Sequence, residues 1–342
     1  MIRVAAFTTG RHQPSTRFRV RQYIAALKAH GVALSEFSTR PGAYPSHKAS
    51  LRPFRPFWAA YALAARVPGI VASHRFDVTL LQREMLSTFC TLEPFTRSPR
   101  ILDVDDAIWF FRGGNSARKL ARLSEAVICG NSFLADYFSQ WNRNIVILPT
   151  AVDSDRFLPR PRDDRDLGLV IGWSGNRSGF QDLQLAEKPL RIILEKYPRA
   201  ILRVMADEPP TLELPRERVE FVKWSPEVEV ATIQSFDIGI MPLGDTLWSR
   251  GKCSYKMLLY MSCGVPVAVS PVGMNGEVCA MAPLGVTAAT TEEWVSALEL
   301  LLRDPEQARV MGKNGRETIV RHFSIEAIAP KLARALRQAA SA

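Results

Sequence analysis

Two lysines four residues apart head the run Lys252-Cys-Ser-Tyr-Lys256-Met-Leu-Leu-Tyr-Met-Ser-Cys-Gly264-Val-Pro266. On a helix that spacing puts both ammonium groups on one face, and at a helix start the backbone N–H groups and dipole already favour an anion. A sugar-nucleotide diphosphate would suit such a face; two solvated surface charges are the plainer alternative. A second candidate is Gly172-Trp-Ser-Gly-Asn-Arg-Ser178, between an apolar run and a helical stretch. Its small residues, Gly172, Ser174, Gly175 and Asn176, would expose backbone N–H groups to a phosphate, and Arg177 can add a two-pronged donor. An ordinary strand-to-helix loop explains the same letters. A third is Pro271-Val-Gly273-Met274-Asn275-Gly-Glu277, a glycine loop ending in a carboxylate. The aspartate-dense Asp103-Val-Asp105-Asp106 suggests Mg²⁺ ligation or a helix N-cap. Arg17 and Arg19, near a helix start, are placed to meet a phosphorylated acceptor, or else are solvated.

The elements that must position these groups are legible from period and punctuation. A helix over 252–263 stops at Gly264, which suits a left-handed cap, and Pro266 bars its continuation. Residues 265–270 are then a short apolar strand of the kind buried on both faces of a parallel sheet, so the loop after it lies where open α/β sheets place their ligands. Strands are expected at 2–9, 32–37, 76–82, 100–105, 125–129 and 145–148, with helical stretches between them. Ser15 is the expected N-cap of a helix running to about His30. The charged, proline-flanked stretch 158–166 then marks a boundary. Beyond it the alternation resumes with strands at 167–173, 200–206, 219–222, 237–241, 265–270 and 286–289, and helices near 180–196, 225–235, 252–263 and 291–302. A helix over 305–322 and a last Ala/Leu/Lys/Arg helix close the chain. Strands separated by helices imply parallel pairing and right-handed crossovers. The expected fold class is therefore α/β, with two Rossmann-like doubly wound parallel-sheet domains facing across a cleft.

A chain of 342 residues suggests about two domains. Its five cysteines lack a Cys-x-x-Cys pair, which argues against a disulfide framework and a zinc site and for a reducing cytoplasm. No secretory leader is visible, and the longest uncharged run, 257–276, is broken as a helix by Gly264, Pro266, Pro271 and Gly273. The net charge of +10 is uneven: residues 1–155 hold 20 Lys+Arg against 11 Asp+Glu, so +9 of it lies there. That implies an acidic partner or merely a basic surface. The segment 52–66, with Phe54, Phe57, Trp58 and Tyr61 among arginines and alanines and no acid, fits an interfacial helix on an anionic membrane surface or a packing helix with arginine ends. Gly10 has no Gly-x-Gly-x-x-Gly partners, so the dinucleotide fingerprint is missing, and no nucleic-acid-binding motif accompanies the basicity.

Four stretches in order resemble the GT-B glycosyltransferases, in particular glycosyltransferase family 4: 147–157, 171–177, 237–243 and 252–277. They cover the carboxyl-terminal half well and the amino-terminal half loosely. The resemblance implies an acceptor-side domain over 1–157, rejoined by 323–342 at a Phe-Ser-Ile-Glu crossing, and a nucleotide-sugar donor domain over 158–322. It implies transfer of a sugar from a nucleotide-diphosphate sugar to a glycan or lipid-linked acceptor, with retention. Growing charge on the β-phosphate would be stabilised by fixed cations. Arg177, Lys252 and Lys256 would fill that role, with Gly172, Ser174, Gly175, Asn176, Gly273, Met274, Asn275 and Glu277 around the donor. Asp105 and Asp106 stand where the family commonly has His-Asp, which implies binding of acceptor or donor-sugar hydroxyls, with Arg17 and Arg19 also acceptor-side. No cofactor and no divalent metal is expected. The family's paired glutamates fall on Gly251 and Leu259, so both acids are missing.

Overall fold

The computed structural model describes residues 1–11, 13–45, 49–160 and 169–341. They divide into two compact units, Met1–Ala151 with Gly251–Cys253 and Ile325–Ala342, and Val152–Arg250 with Ser254–Ser324. The division falls at Val152, not 158, and most of the expected linker at 158–166 lies outside the described residues.

The first unit is built on β1 (Ile2–Phe7), β2 (Val32–Phe37), β3 (Val78–Gln82), β4 (Arg100–Val104), β5 (Ala126–Cys129) and β6 (Ile145–Ile147), in the order β2-β1-β3-β4-β5-β6. Every neighbouring pair is parallel. β3 is buried at all five positions, as a central strand covered on both faces must be. The last helix, Ile325–Ala340, belongs here because its apolar residues recur three and four apart. Ile325, Ile328, Ala329, Leu332 and Leu336 pack with Val4, Val78, Leu80 and Ile101 in one core.

The second unit repeats the scheme with β7 (Leu169–Ser174), β8 (Ala200–Ala206), β9 (Val219–Lys223), β10 (Ile238–Met241), β11 (Val267–Val269) and β12 (Gly285–Thr287), in the order β12-β11-β10-β7-β8-β9. The chain winds outward from β7 in one direction and then, from β10, in the other. The strand order therefore reverses between β7 and β10, where doubly wound sheets bind ligands.

Local structure departs from expectation at several points. The stretch expected as one helix over 15–30 is two, Pro14–Arg19 and Ile24–Ala29, joined by a tight turn at Arg21–Tyr23. Its N-cap is Gln13, so Ser15 lies inside the first turn. The helix expected over 252–263 is Tyr255–Ser262, and Ser254 before it takes φ +51°. At its far end Gly264 adopts φ +70° and its N–H meets Met261 O at 2.9 Å, closing the helix as its type and position require.

Arg19 is an interior brace. Its Nε and Nη2 donate to the two Asp103 oxygens at 3.0 and 2.5 Å, and Nη1 donates to Leu148 O at 2.8 Å. Both side chains are under 5% exposed, at 3% and 4%. Burial opposes its charge, but Asp103 outweighs burial and leaves Arg19 above its ordinary value. Arg19 is thus removed from the acceptor-facing set: its donors tie the first helix to the ends of β4 and β6. Arg19→Ala leaves Asp103 buried without its partner and should cost about 3–5 kcal/mol in a denaturant titration; a solvated arginine would cost almost nothing.

Candidate active site

In the second unit the carboxyl end of β7 is fixed by a tyrosine. Tyr260 Oη accepts from the Ser174 N–H at 2.7 Å and lies 3.0 Å from Ser174 Oγ. Burial pushes the phenol up to about 12, so it stays neutral and can donate to Ser174 Oγ while accepting from the backbone. One turn earlier on the same helix face, Lys256 Nζ stands 4.5 Å from the centroid of the Trp173 ring. An ammonium over an indole face is attracted by the ring's quadrupole, worth about 0.5–2 kcal/mol as the site loses water. The loop after β7 passes directly beneath this cation, since a Cβ on Gly179 would lie 3.6 Å from Lys256 Nζ.

The glycines here make room for aromatic rings. A Cβ on Gly175 would stand 2.3 Å from the Trp173 ring, and one on Gly172 would stand 2.0 Å from Phe236. Several N–H groups of this loop are already engaged. The N–H groups of Gly175, Arg177 and Gly179 donate to Met205 O, Asp207 Oδ1 and Asn176 O at 2.9, 2.8 and 2.9 Å. Ser174 is turned inward to Tyr260, while Asn176 is exposed and accepts from Ser178 Oγ at 2.6 Å. Arg177 projects outward with its side chain 76% exposed, 3.3 Å from Glu208. The structure therefore brings Arg177's loop and Lys256 together, with the lysine as the inner charge.

At the carboxyl end of β11 the expected loop is partly a short helix, Met274–Cys279. Gly273 takes φ +54°, and a Cβ there would stand 2.7 Å from Arg250 O, so only glycine fits. Met274 and Asn275 face inward, and Asn275 Nδ2 donates to Ser270 O at 3.2 Å; Glu277 is exposed. Met274 and Asn275 therefore build the turn, and of this group Glu277 is the side chain that faces solvent.

Lys252 is not on the helix. It precedes Tyr255 by three residues and lies in the short segment Gly251–Cys253 that packs with the first unit. There its carbonyl accepts from Asn131 Nδ2 at 3.0 Å, and its charge acts on Asp106. Cys253 Sγ donates to Asp105 O at 3.2 Å. The two lysines accordingly do not share a helix face, because the left-handed Ser254 separates them.

Asp105 and Asp106 are clamped by an arginine the sequence did not single out. Arg83 Nε donates to Asp105 Oδ1 and Nη2 to Asp106 Oδ2, each at 2.5 Å, and Nη1 meets Tyr44 Oη at 3.3 Å. Arg83 holds φ +59°, a costly conformation for a side chain of its size. Burial opposes the charge of Asp105, yet Arg83 keeps it below the usual carboxylate range; for Asp106 burial prevails and holds it above. Among the described residues no three His, Cys, Asp or Glu side chains are grouped to hold a metal ion. Arg17 is partly buried, its guanidinium 4.9 Å from the centroid of the Phe18 ring. Sequence reasoning missed Arg83, Trp173 and Tyr260. The spacing of Tyr260 four residues after Lys256 was the available signal.

Two doubly wound α/β units on parallel six-stranded sheets define the GT-B class, and solved structures bear this out along nearly the whole chain. A glycosyltransferase from Rickettsia africae aligns with TM-score 0.73 at 11% identity, covering 98% of each chain. The sucrose-phosphate synthase of Thermosynechococcus elongatus aligns with TM-score 0.70 at 16% identity, covering 99% of each. Anabaena HepE in complex with UDP-glucose aligns with TM-score 0.70 at 12% identity, covering 99% of this chain and 100% of that one. More particularly, residues 169–304 match the family model described as glycosyl transferases group 1, so the second unit carries a domain of that kind. No curated protein matches the chain.

Gly175→Ala should displace Trp173 and with it the support of Lys256. Thermal denaturation is expected to show a loss of about 1–3 kcal/mol. Ser178→Ala, on the outer side of the same loop, should leave stability within about 0.5 kcal/mol of wild type.

Proposed function

We propose that the protein is a glycosyltransferase moving a sugar from a nucleoside-diphosphate sugar to a glycan or lipid-linked acceptor. The observation that carries this is the ammonium of Lys256, held over Trp173 at the carboxyl end of the central strand, at the point where the sheet order reverses. The matched group 1 domain and the UDP-glucose bound to HepE support the choice of ligand.

In this reading the second unit takes the donor. As the bond from the anomeric carbon to the β-phosphate oxygen lengthens, negative charge grows on the departing diphosphate. A fixed cation stabilises that state more than the ground state, without a divalent metal. Lys256 supplies the inner charge. Arg177, on its exposed loop, supplies an outer one, and Glu277 contacts the sugar. Retention of anomeric configuration goes with the family 4 resemblance. In the first unit Asp105 and Asp106, oriented by Arg83, accept hydrogen bonds from acceptor hydroxyls, and Arg17 borders them.

A lipid-linked acceptor at the inner face of a membrane fits the helix Arg55–Ala64. Phe54, Phe57 and Tyr61, spaced three and four apart, are 60%, 74% and 58% exposed beside Arg52 and Arg55, which favours the interfacial over the packing alternative. Among the described residues no helix is long and apolar enough to cross a membrane. Cell-surface polysaccharide or glycolipid synthesis is the setting this suggests. Phe57→Glu with Tyr61→Glu should cut binding to phosphatidylserine vesicles by at least about tenfold in sedimentation; equal binding removes this part of the reading.

A second reading, a binding or scaffold subunit, is favoured by one observation. Where the family carries two acids, Gly251 is pressed on Ala107, with a Cβ there only 2.8 Å from that methyl, and Leu259 is 4% exposed. The two readings part on one experiment. If the protein is an enzyme, nucleoside diphosphates raise its Tm, radiolabelled sugar is transferred or hydrolysed, and Lys256→Ala slows transfer at least about tenfold, with Arg177→Ala in the same direction. A Tm rise with no turnover across a panel of nucleotide sugars leaves the scaffold, and unchanged rates in both variants discard the assigned roles.

A further inference from the structure

Arg66 closes the turn between the helices Arg55–Ala64 and Val67–Ser73, yet its side chain runs inward and is 2% exposed. Nη2 donates to Thr8 O at 3.1 Å, while Nε and Nη1 have no hydrogen-bond partner among the described residues, nor has the buried Thr39 Oγ1. A guanidinium keeps its charge at neutral pH, and burying one with open donors is costly unless something else satisfies them. Burial lowers Arg66 to about 10, against a smaller opposing effect of Glu93. Glu93 does not quench these donors, since its oxygens accept from Met85 N–H at 2.7 Å and Thr91 N–H at 2.5 Å. Glu36, near Thr8, is also engaged, accepting from Arg21 Nη2 at 2.8 Å and Thr8 Oγ1 at 3.1 Å.

The open donors border a cavity. It measures about 90 Å³, roughly three water volumes, and is lined by Arg66, Thr39 and Ser38 over a floor of Phe7, Phe37 and Gly69. Gly69 is what admits the helix here, since a Cβ would stand 3.1 Å from the Phe37 ring. Ser38 and Thr39 also line a wider cavity of about 680 Å³, whose other described lining residues are Arg11 and Arg40. No described carboxylate lines either space. The position follows from the topology, because all these groups gather beyond the carboxyl ends of β1 and β2 in the first unit, whose residues 1–151 hold 20 Lys+Arg against 9 Asp+Glu.

We propose that this cavity binds an oxyanion group, a phosphate or carboxylate, with Arg66 and Thr39 donating to its oxygens and Arg11 and Arg40 facing the remainder of an anionic ligand. The site is built within the first unit, apart from Lys256, and stands whether or not the transferase reading does.

The test uses the full chain, titrated with inorganic phosphate and, separately, acetate at constant ionic strength, with Tm as the readout. At least one of the two should raise the wild-type Tm saturably, and the stronger tells which oxyanion the site prefers. Arg66→Met removes the orphan charge at similar volume, so its Tm without anion should equal or exceed that of wild type while apparent anion affinity falls at least about tenfold. Thr39→Val keeps the shape and should weaken the anion about threefold or more, which decides the matter if Arg66→Met does not fold. Lys256→Ala should keep the response, since the diphosphate face is a different one. No saturable stabilisation by either anion, or an undiminished response in Thr39→Val together with a folded Arg66→Met, overturns the proposal.

Discussion

The candidate site depends on a buried indole. Trp173, next to last in the central strand β7, has 0% exposure, and its ring is the platform over which the loop turns and the Lys256 ammonium rests. Everything close to it is dimensioned to that ring. Gly175 and Gly179 let the backbone lie against it, and Phe180 packs at 5.7 Å between centroids. Tyr260 ties the helix to the next strand residue, so the lysine is held by a short rigid chain of contacts. Charge placed in this way is worth more than the same charge on a mobile surface stem, because it needs no reorganisation as negative charge develops.

The first unit handles charge by enclosure. Arg19 is sealed against Asp103, and Arg83 grips Asp105 and Asp106 from a strained backbone. These pairs satisfy acids that would otherwise be buried alone, and they fix the turn beyond β4. Arg66 is the departure from this pattern, a buried guanidinium with donors left over among the described residues. Gly251–Cys253, though far along the chain, packs on the loop after β4 and closes out any side chain at position 251. Position 251 is thus closed by local packing, and Leu259 is buried.

All twelve strands of the described residues were legible: inner strands such as β3 and β5, buried on both faces, read as apolar runs, and the half-exposed edge strands β2, β6, β9 and β12 show in their short β-branched or aromatic runs between turn residues. Helix ends were less so. The spacing of Lys252 to Lys256 suits a helix, but Ser254 enters the left-handed region and the helix starts after it. The loop after β7 has the letters of a phosphate cradle, yet glycine serves equally where a backbone must pass an aromatic ring, and there the ring was the reason.

What the sequence by itself determined was the order of strands and helices, the doubling of the unit, the return of the last helix to the first sheet and the candidacy of Lys256. The elements and their doubling follow from periodicity, a property of neighbours in the chain, and the return of the last helix from the resemblance of its Phe-Ser-Ile-Glu segment to the family's crossing. Tertiary structure alone decided which charges are sealed and which are presented. Arg17, Arg19, Arg66, Arg83 and Arg177 are the same letter in the sequence, and only the burial and partners of each guanidinium separate a brace from a donor left open, because those are set by residues tens of positions away.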